Sequence, residues 1–247
     1  MFPIRDHNPS GRPPYVTYVL IAVNIAVFLG YWLNMPSDYA LAVFFNRWGL
    51  VPEAVTAGYQ IETVLTSMFL HGGWMHLAGN MLFLWIFGDN MEDEMGHGRF
   101  ALFYLASGLA AAGLQIGADV ASPVTMVGAS GAIAGVMGGY LLLFPRAKID
   151  VLFIFIIFFR IFAIPAWIVL GVWIGAQLFN GATTPTDGGG VAYLAHVGGF
   201  VGGLILTIPL WLTRGGFAFW QRTHGTPPHP DADYKITRSS VPRVPRR

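Results

Sequence analysis

Six long apolar stretches constrain this chain more than any other feature. They cover roughly 15–33, 68–88, 99–117, 127–144, 161–179 and 191–213. At 1.5 Å of rise per residue, about 20 helical residues cross the ~30 Å hydrocarbon core of a bilayer. Lipid offers no water to backbone N–H and C=O groups, so a crossing segment must satisfy them itself, as a helix does. Composition agrees: 54% of the 247 residues are hydrophobic and 11% charged, against about 25% charged in soluble domains. The expected fold is an all-α membrane protein with six transmembrane helices and a long first outer loop (34–65).

Some boundaries need care. The run Tyr15–Leu33 is longer than a signal-peptide core and lacks a small-residue cleavage site, so it reads as a retained span. His71, Gly72 and Gly73 weaken the start of the second stretch, whose firm core begins near Trp74. The run Ile149–Phe159 ends at Arg160 and reads as interfacial, with span five starting at Ile161. Residues 1–14 form an N-terminal segment, 15–213 the membrane domain, and 214–247 a disordered basic tail rich in Pro and Arg. The acidic cluster Asp89, Glu92, Asp93, Glu94 reads as a solvated loop.

Of the 14 Lys and Arg residues, only Arg47 falls on the side of the bundle opposite the termini. The positive-inside rule then places both termini in the cytoplasm, with a bacterial inner membrane as the expected location. The chain has no cysteine, which excludes thiol catalysis, thiolate metal sites and disulfides. A net charge of +1 gives no basis for nucleic-acid binding. His71 and His76 are not spaced as a metal-binding pair, and no His-Glu-x-x-His occurs, so neither metal nor cofactor is expected.

Polar residues in three of the apolar stretches carry the chemistry. His76 and Asn80 are four apart and share one helix face. Ser130 stands in "VGASGAIAG" and His196 in "YLAHVGG". The second, fourth and sixth spans run in the same direction, so all four groups converge at one depth near the outer mouth. Each alone has a structural explanation. Small residues at 131, 135 and 139 suit close helix contact, as do Gly199 and Gly203 beside His196. Packing alone does not require four polar groups at one level. Serine becomes a nucleophile when a base takes its proton, and His196 is the available base. The Ser130 N–H, near a helix start, and the His76 and Asn80 side chains are plausible oxyanion donors. No carboxylate partner is evident, since Asp187 lies in a Gly-rich loop.

"HGGWMHLAGN", "GASG" and "AHVGGFVGG", in that order, together with "GDNMEDEMG", resemble the rhomboid family of intramembrane serine proteases over roughly Thr66–Trp211. The resemblance implies a six-helix rhomboid-like bundle of the basic bacterial form. Ser130 would be the nucleophile, His196 the base, and His76, Asn80 and the Ser130 N–H the oxyanion hole. Glu92 would tie the cytoplasmic loop to neighbouring helices, with Gly128, Gly131, Gly199 and Gly203 as structural support. Substrates would be transmembrane segments of other proteins, admitted past span five with movement of the loop 180–190. Two features depart from the family. Glu62-Thr63 stands where many members have Trp-Arg. Ala134 stands where some carry a tyrosine stacked on the base, so the sequence names nothing that orients His196. Two rival readings are a pseudoprotease that binds membrane clients and a small transporter. The first would tolerate loss of Ser130 or His196, and the second would show inverted repeats.

Overall fold

A computed structural model describes residues 2–155, 158–184 and 190–227. Residues 185–189 of the loop 180–190, with Asp187 among them, and the tail from 228 lie outside the described residues. The order begins with strand β1 (Phe2–Asp6) and helix α1 (Tyr15–Trp32), then short helices α2 (Asp38–Trp48), α3 (Pro52–Thr56) and α4 (Thr63–Thr66), followed by a 3-10 turn. Helices α5 (Trp74–Met95), α6 (His97–Ala118) and α7 (Ser130–Leu143) follow. Strands β2 (Lys148–Phe155) and β3 (Phe158–Pro165) lead into α8 (Ala166–Thr183), α9 (Tyr193–Thr213) and α10 (Phe217–Thr223). Four helices, α1, α6, α8 and α9, are long and apolar enough to cross a membrane, and α7 is a shorter apolar helix.

The protein is mostly but not wholly helical, which corrects the all-α expectation. β1, β2 and β3 form an antiparallel sheet in that order, with Phe153 opposite Arg160 and Lys148 opposite Pro165. Residues 149–155 and 158–159 of the apolar run therefore lie in paired strands, and the fifth long helix starts at Ala166 rather than Ile161. β-branched and aromatic residues dominate this run and suit strands. Pro165 ends the ladder and pre-sets the first helical turn. Two further expectations are corrected. The acidic cluster is helical, because α5 continues to Met95, and Glu92 is buried. The segment after 213 includes α10, anchored by Phe219 and by the Trp220 indole N–H, which donates to the Leu142 carbonyl at 2.9 Å.

Helix α7 is the centre of the bundle, with Gly131 through Tyr140 all buried. It packs most closely on α9, and the contact is backbone to backbone. A Cβ at Gly199 would run into the Gly131 carbonyl, one at Gly203 into that of Gly135, and one at Gly138 into that of Phe200. Only glycine permits this approach, which fixes the register between the two helices. Helix α8, by contrast, buries only Ala166, Val169 and Leu170.

The connection between α1 and α5 is held against the segment leading to α7. Leu50 and Met126 exchange backbone hydrogen bonds of 2.9 and 2.7 Å, and the Thr56 hydroxyl donates to the Val120 carbonyl at 2.8 Å. The Gly128 N–H donates to the Ser67 carbonyl at 2.9 Å, two residues before Ser130. Glu62 pairs with Arg47 at 2.8 Å and Thr63 is buried.

Candidate active site

Ser130 is the first residue of α7. The Ile133 N–H is the first to bond back, to the Ala129 carbonyl, so the preceding amides at the helix start lack intrahelical acceptors. Gly128 makes the turn possible with φ of +135°, a conformation that side-chain-bearing residues avoid. A Cβ there would lie 2.9 Å from His76 Nε2 and 3.4 Å from Ser130 Oγ. Glycine at 128 thus leaves room between these two side chains.

His196 stands in the first turns of α9, and its Nε2 lies 2.8 Å from Ser130 Oγ. The backbone contact of Gly131 with Gly199 sets this distance, because it draws the starts of α7 and α9 together. Gln115 of α6 accepts the Ala195 N–H at 3.1 Å and steadies the start of α9. On the other side of the ring, His196 Nδ1 lies 2.7 Å from Gln177 Oε1 of α8. The Trp173 ring, also on α8, packs on His196 with centroids 5.7 Å apart.

His76 and Asn80 approach from α5. The Gly72 N–H donates to His76 Nδ1 at 3.2 Å, so in the neutral ring the proton resides on Nε2, on the side of Gly128 and Ser130. Asn80 is buried, and its Nδ2 has no hydrogen-bond partner among the described residues. An unpaired buried amide donor is costly, and here it stands in the wall of a cavity. The cavity holds about 630 Å³ and is bounded by Ser130, His196, His76, Asn80 and Trp173, with apolar walls from Met75, Phe83 and Val127. The structure therefore brings Ser130, His196, His76 and Asn80 to one space. His71 lies outside this set. It is fully buried against His76, ring centroids 5.2 Å apart.

Chemically, the arrangement holds a hydroxyl beside a ring nitrogen that can accept its proton, with three N–H donors from two helices, α5 and α7, next to it. Acyl transfer uses this combination. Among the described residues no group of three or more His, Cys, Asp or Glu could hold a metal ion.

The family model described as "Rhomboid domain" matches residues 59–213, most of the chain. The chain belongs to the rhomboid family. The match covers Ser130, His196, His76 and Asn80, and with the apolar helices it makes this rhomboid a multi-pass membrane protein. It is 32% identical over 215 residues to "Rhomboid protease GluP" of Bacillus subtilis, covering 86% of this chain and 38% of that protein. It is 31% identical over 201 residues to "Rhomboid protein 1, mitochondrial" of Saccharomyces cerevisiae, covering 78% and 53%. "Putative rhomboid protease YdcA" of Bacillus subtilis is 30% identical over 139 residues, covering 52% and 61%. The rhomboid thus spans about two fifths to three fifths of the length of these relatives.

Glu92 lies at the opposite end of α5 from His76. It accepts the Val16 and Thr17 N–H groups and the Thr17 hydroxyl, each at 2.8 Å, and His97 Nδ1 at 2.5 Å. Its carboxylate therefore caps the start of α1, which has no acidic residue of its own in its first turn. Two neighbours of His196 were not legible in the sequence. Gln177 and Trp173 lie in an apolar helix at ordinary spacing, and only the docking of α8 on α9 brings them to the ring.

Proposed function

We propose that this rhomboid is an intramembrane serine endopeptidase acting through Ser130 and His196. The observation that carries the reading is the 2.8 Å contact between Ser130 Oγ and His196 Nε2 inside the cavity. Ser130 Oγ attacks the scissile carbonyl carbon while His196 Nε2 takes the hydroxyl proton. The carbonyl oxygen becomes an oxyanion, held by the Ser130 backbone N–H, the His76 Nε2–H and the Asn80 amide. Collapse breaks the C–N bond, and His196 returns the proton to the leaving amine. Water activated by the same base then hydrolyses the acyl-enzyme.

The substrate is the transmembrane segment of another protein. A helix hides its carbonyls in internal hydrogen bonds, so cleavage requires local unwinding, favoured by Gly or Pro near the cut. The sparse burial of α8 supports it as the wall past which substrate is admitted. Six helices, α1 and α5 through α9, cross the bilayer. The basic residues gather on the side of the termini, which supports a cytoplasmic placement of both and a site at the outer face. The bilayer and the substrate are the partners.

The test is labelling by a fluorophosphonate in detergent and in lipid, comparing wild type with Ser130→Ala and His196→Ala. Labelling of wild type that disappears in both variants is the expected result. Labelling that survives in Ser130→Ala would mean another nucleophile. A folded wild type that never labels would favour a client-binding role.

A further inference from the structure

We propose that Gln177 is the positioning residue of the base, fixing the tautomer and orientation of His196 from α8. The proposal rests on the protease reading and names the third member of the site, which the sequence left open. The contact is 2.7 Å between Gln177 Oε1 and His196 Nδ1. A carboxamide oxygen can only accept, so Nδ1 must carry the hydrogen. The neutral ring then has its lone pair on Nε2, which faces Ser130 Oγ at 2.8 Å. That is the only neutral tautomer able to take the serine proton. Without an acceptor at Nδ1, the ring can place its hydrogen on Nε2 and meet Ser130 with a donor, which is unproductive.

Trp173 completes the arrangement. It lies one turn before Gln177 on the same helix face, and its ring packs on His196 at 5.7 Å. The indole limits tilting of the imidazole, while Gln177 sets its rotation and protonation pattern. The acceptor is a neutral amide, so the base is oriented without placing a full negative charge in an apolar bundle. Because both residues belong to α8, the least buried of the long helices around the cavity, the base is aligned only while α8 stays docked on α9.

The variants are Gln177→Leu, which keeps the bulk and loses the acceptor, and Gln177→Glu, which keeps an acceptor oxygen. Both are compared with wild type in lipid, using the fluorophosphonate and a transmembrane peptide substrate. The turnover number and the labelling rate of Gln177→Leu are expected to fall roughly 10- to 100-fold with KM little changed, below the loss caused by removing a general base outright. Gln177→Glu is expected to recover most of that loss. The second readout is the nitrogen-15 spectrum of histidine-labelled protein, with the His196 signals identified by their absence in His196→Ala. Wild type should show hydrogen on Nδ1 alone and Gln177→Leu a mixture of tautomers.

A Gln177→Leu protein that labels at the wild-type rate with an unchanged His196 spectrum would overturn the proposal. So would equal losses in both variants accompanied by equal loss of thermal stability, the mark of packing alone. If wild type does not label at all, the protease reading fails, and the tautomer comparison still decides whether Gln177 sets the ring.

Discussion

At one end of the bundle, Ser130, His76, His196 and Asn80 border a cavity of about 630 Å³. At the other end, Asp6, Asn8, Tyr140 and Asn90 are turned on one another, beside a hollow of about 80 Å³ at Ser10 and Asp89. The Tyr140 hydroxyl accepts from Asn8 Nδ2 and donates to Asp6 at 3.1 Å, and Asn90 Nδ2 donates to the Asn8 carbonyl at 2.8 Å. The two clusters are similarly polar and share α5 and α7. They differ in what their polar atoms face. The second cluster joins the N-terminal segment to the helices and serves structure. The first leaves donors such as Asn80 Nδ2 without a protein partner, next to open space. Polarity inside an apolar bundle therefore does not identify a reactive site. Asn90 Oδ1 of the second cluster is also without a partner among the described residues, so what singles out the first is unused hydrogen-bonding capacity beside a cavity with room for a ligand.

The sharpest test of this contrast is Ser130→Ala. Cleavage of a transmembrane substrate is expected to fall by roughly four orders of magnitude or more, with stability within about 1 kcal/mol of wild type. Next in size is Glu92→Ala at the opposite end. It removes the carboxylate that caps α1 and leaves buried donors unpaired, so a loss of about 2–4 kcal/mol is expected in reversible unfolding. Labelling per folded molecule should persist. A Glu92 variant that folds normally yet does not label would break the division between the two ends.

Gly199→Ala joins the two regions. The added methyl meets the Gly131 carbonyl, and overpacking of this kind costs about 1–3 kcal/mol. Because the same contact sets the Ser130–His196 distance, both thermal stability and labelling rate should decline together.

A further effect concerns pH. Burial, with a further contribution from nearby Asp89, raises the Asp6 carboxyl from 3.8 to about 8. The folded state therefore binds a proton that the unfolded chain has already released. Its contribution to stability is present below pH 3.8 and is lost as pH rises toward 8. Melting temperatures measured across that window should fall with rising pH in wild type, and Asp6→Asn should flatten the trend. A steeper trend in Asp6→Asn would show that another group dominates.

Much of this was legible in the chain itself. Apolar run length gave the long helices, and small residues around Ser130 and His196 marked close packing. The convergence of Ser130, His196, His76 and Asn80 followed from helical spacing and alternating direction. The hairpin of β2 and β3 was not legible, because a continuous apolar run has no period that separates strand from interfacial helix. Nor was the burial of Glu92, since an acidic cluster at a helix end looks solvated until its acceptors meet a second helix start.

By itself, the sequence determined the membrane solvent, the residue types available for chemistry and the absence of thiols. Those depend on composition and on local periods of the backbone. Only the tertiary structure decided which nitrogen of His196 faces Ser130, that Gln177 and Trp173 hold the ring, and which polar cluster has open space beside it. Those depend on distances between residues far apart in sequence, set here by glycine contacts between α7 and α9 and by the docking of α8.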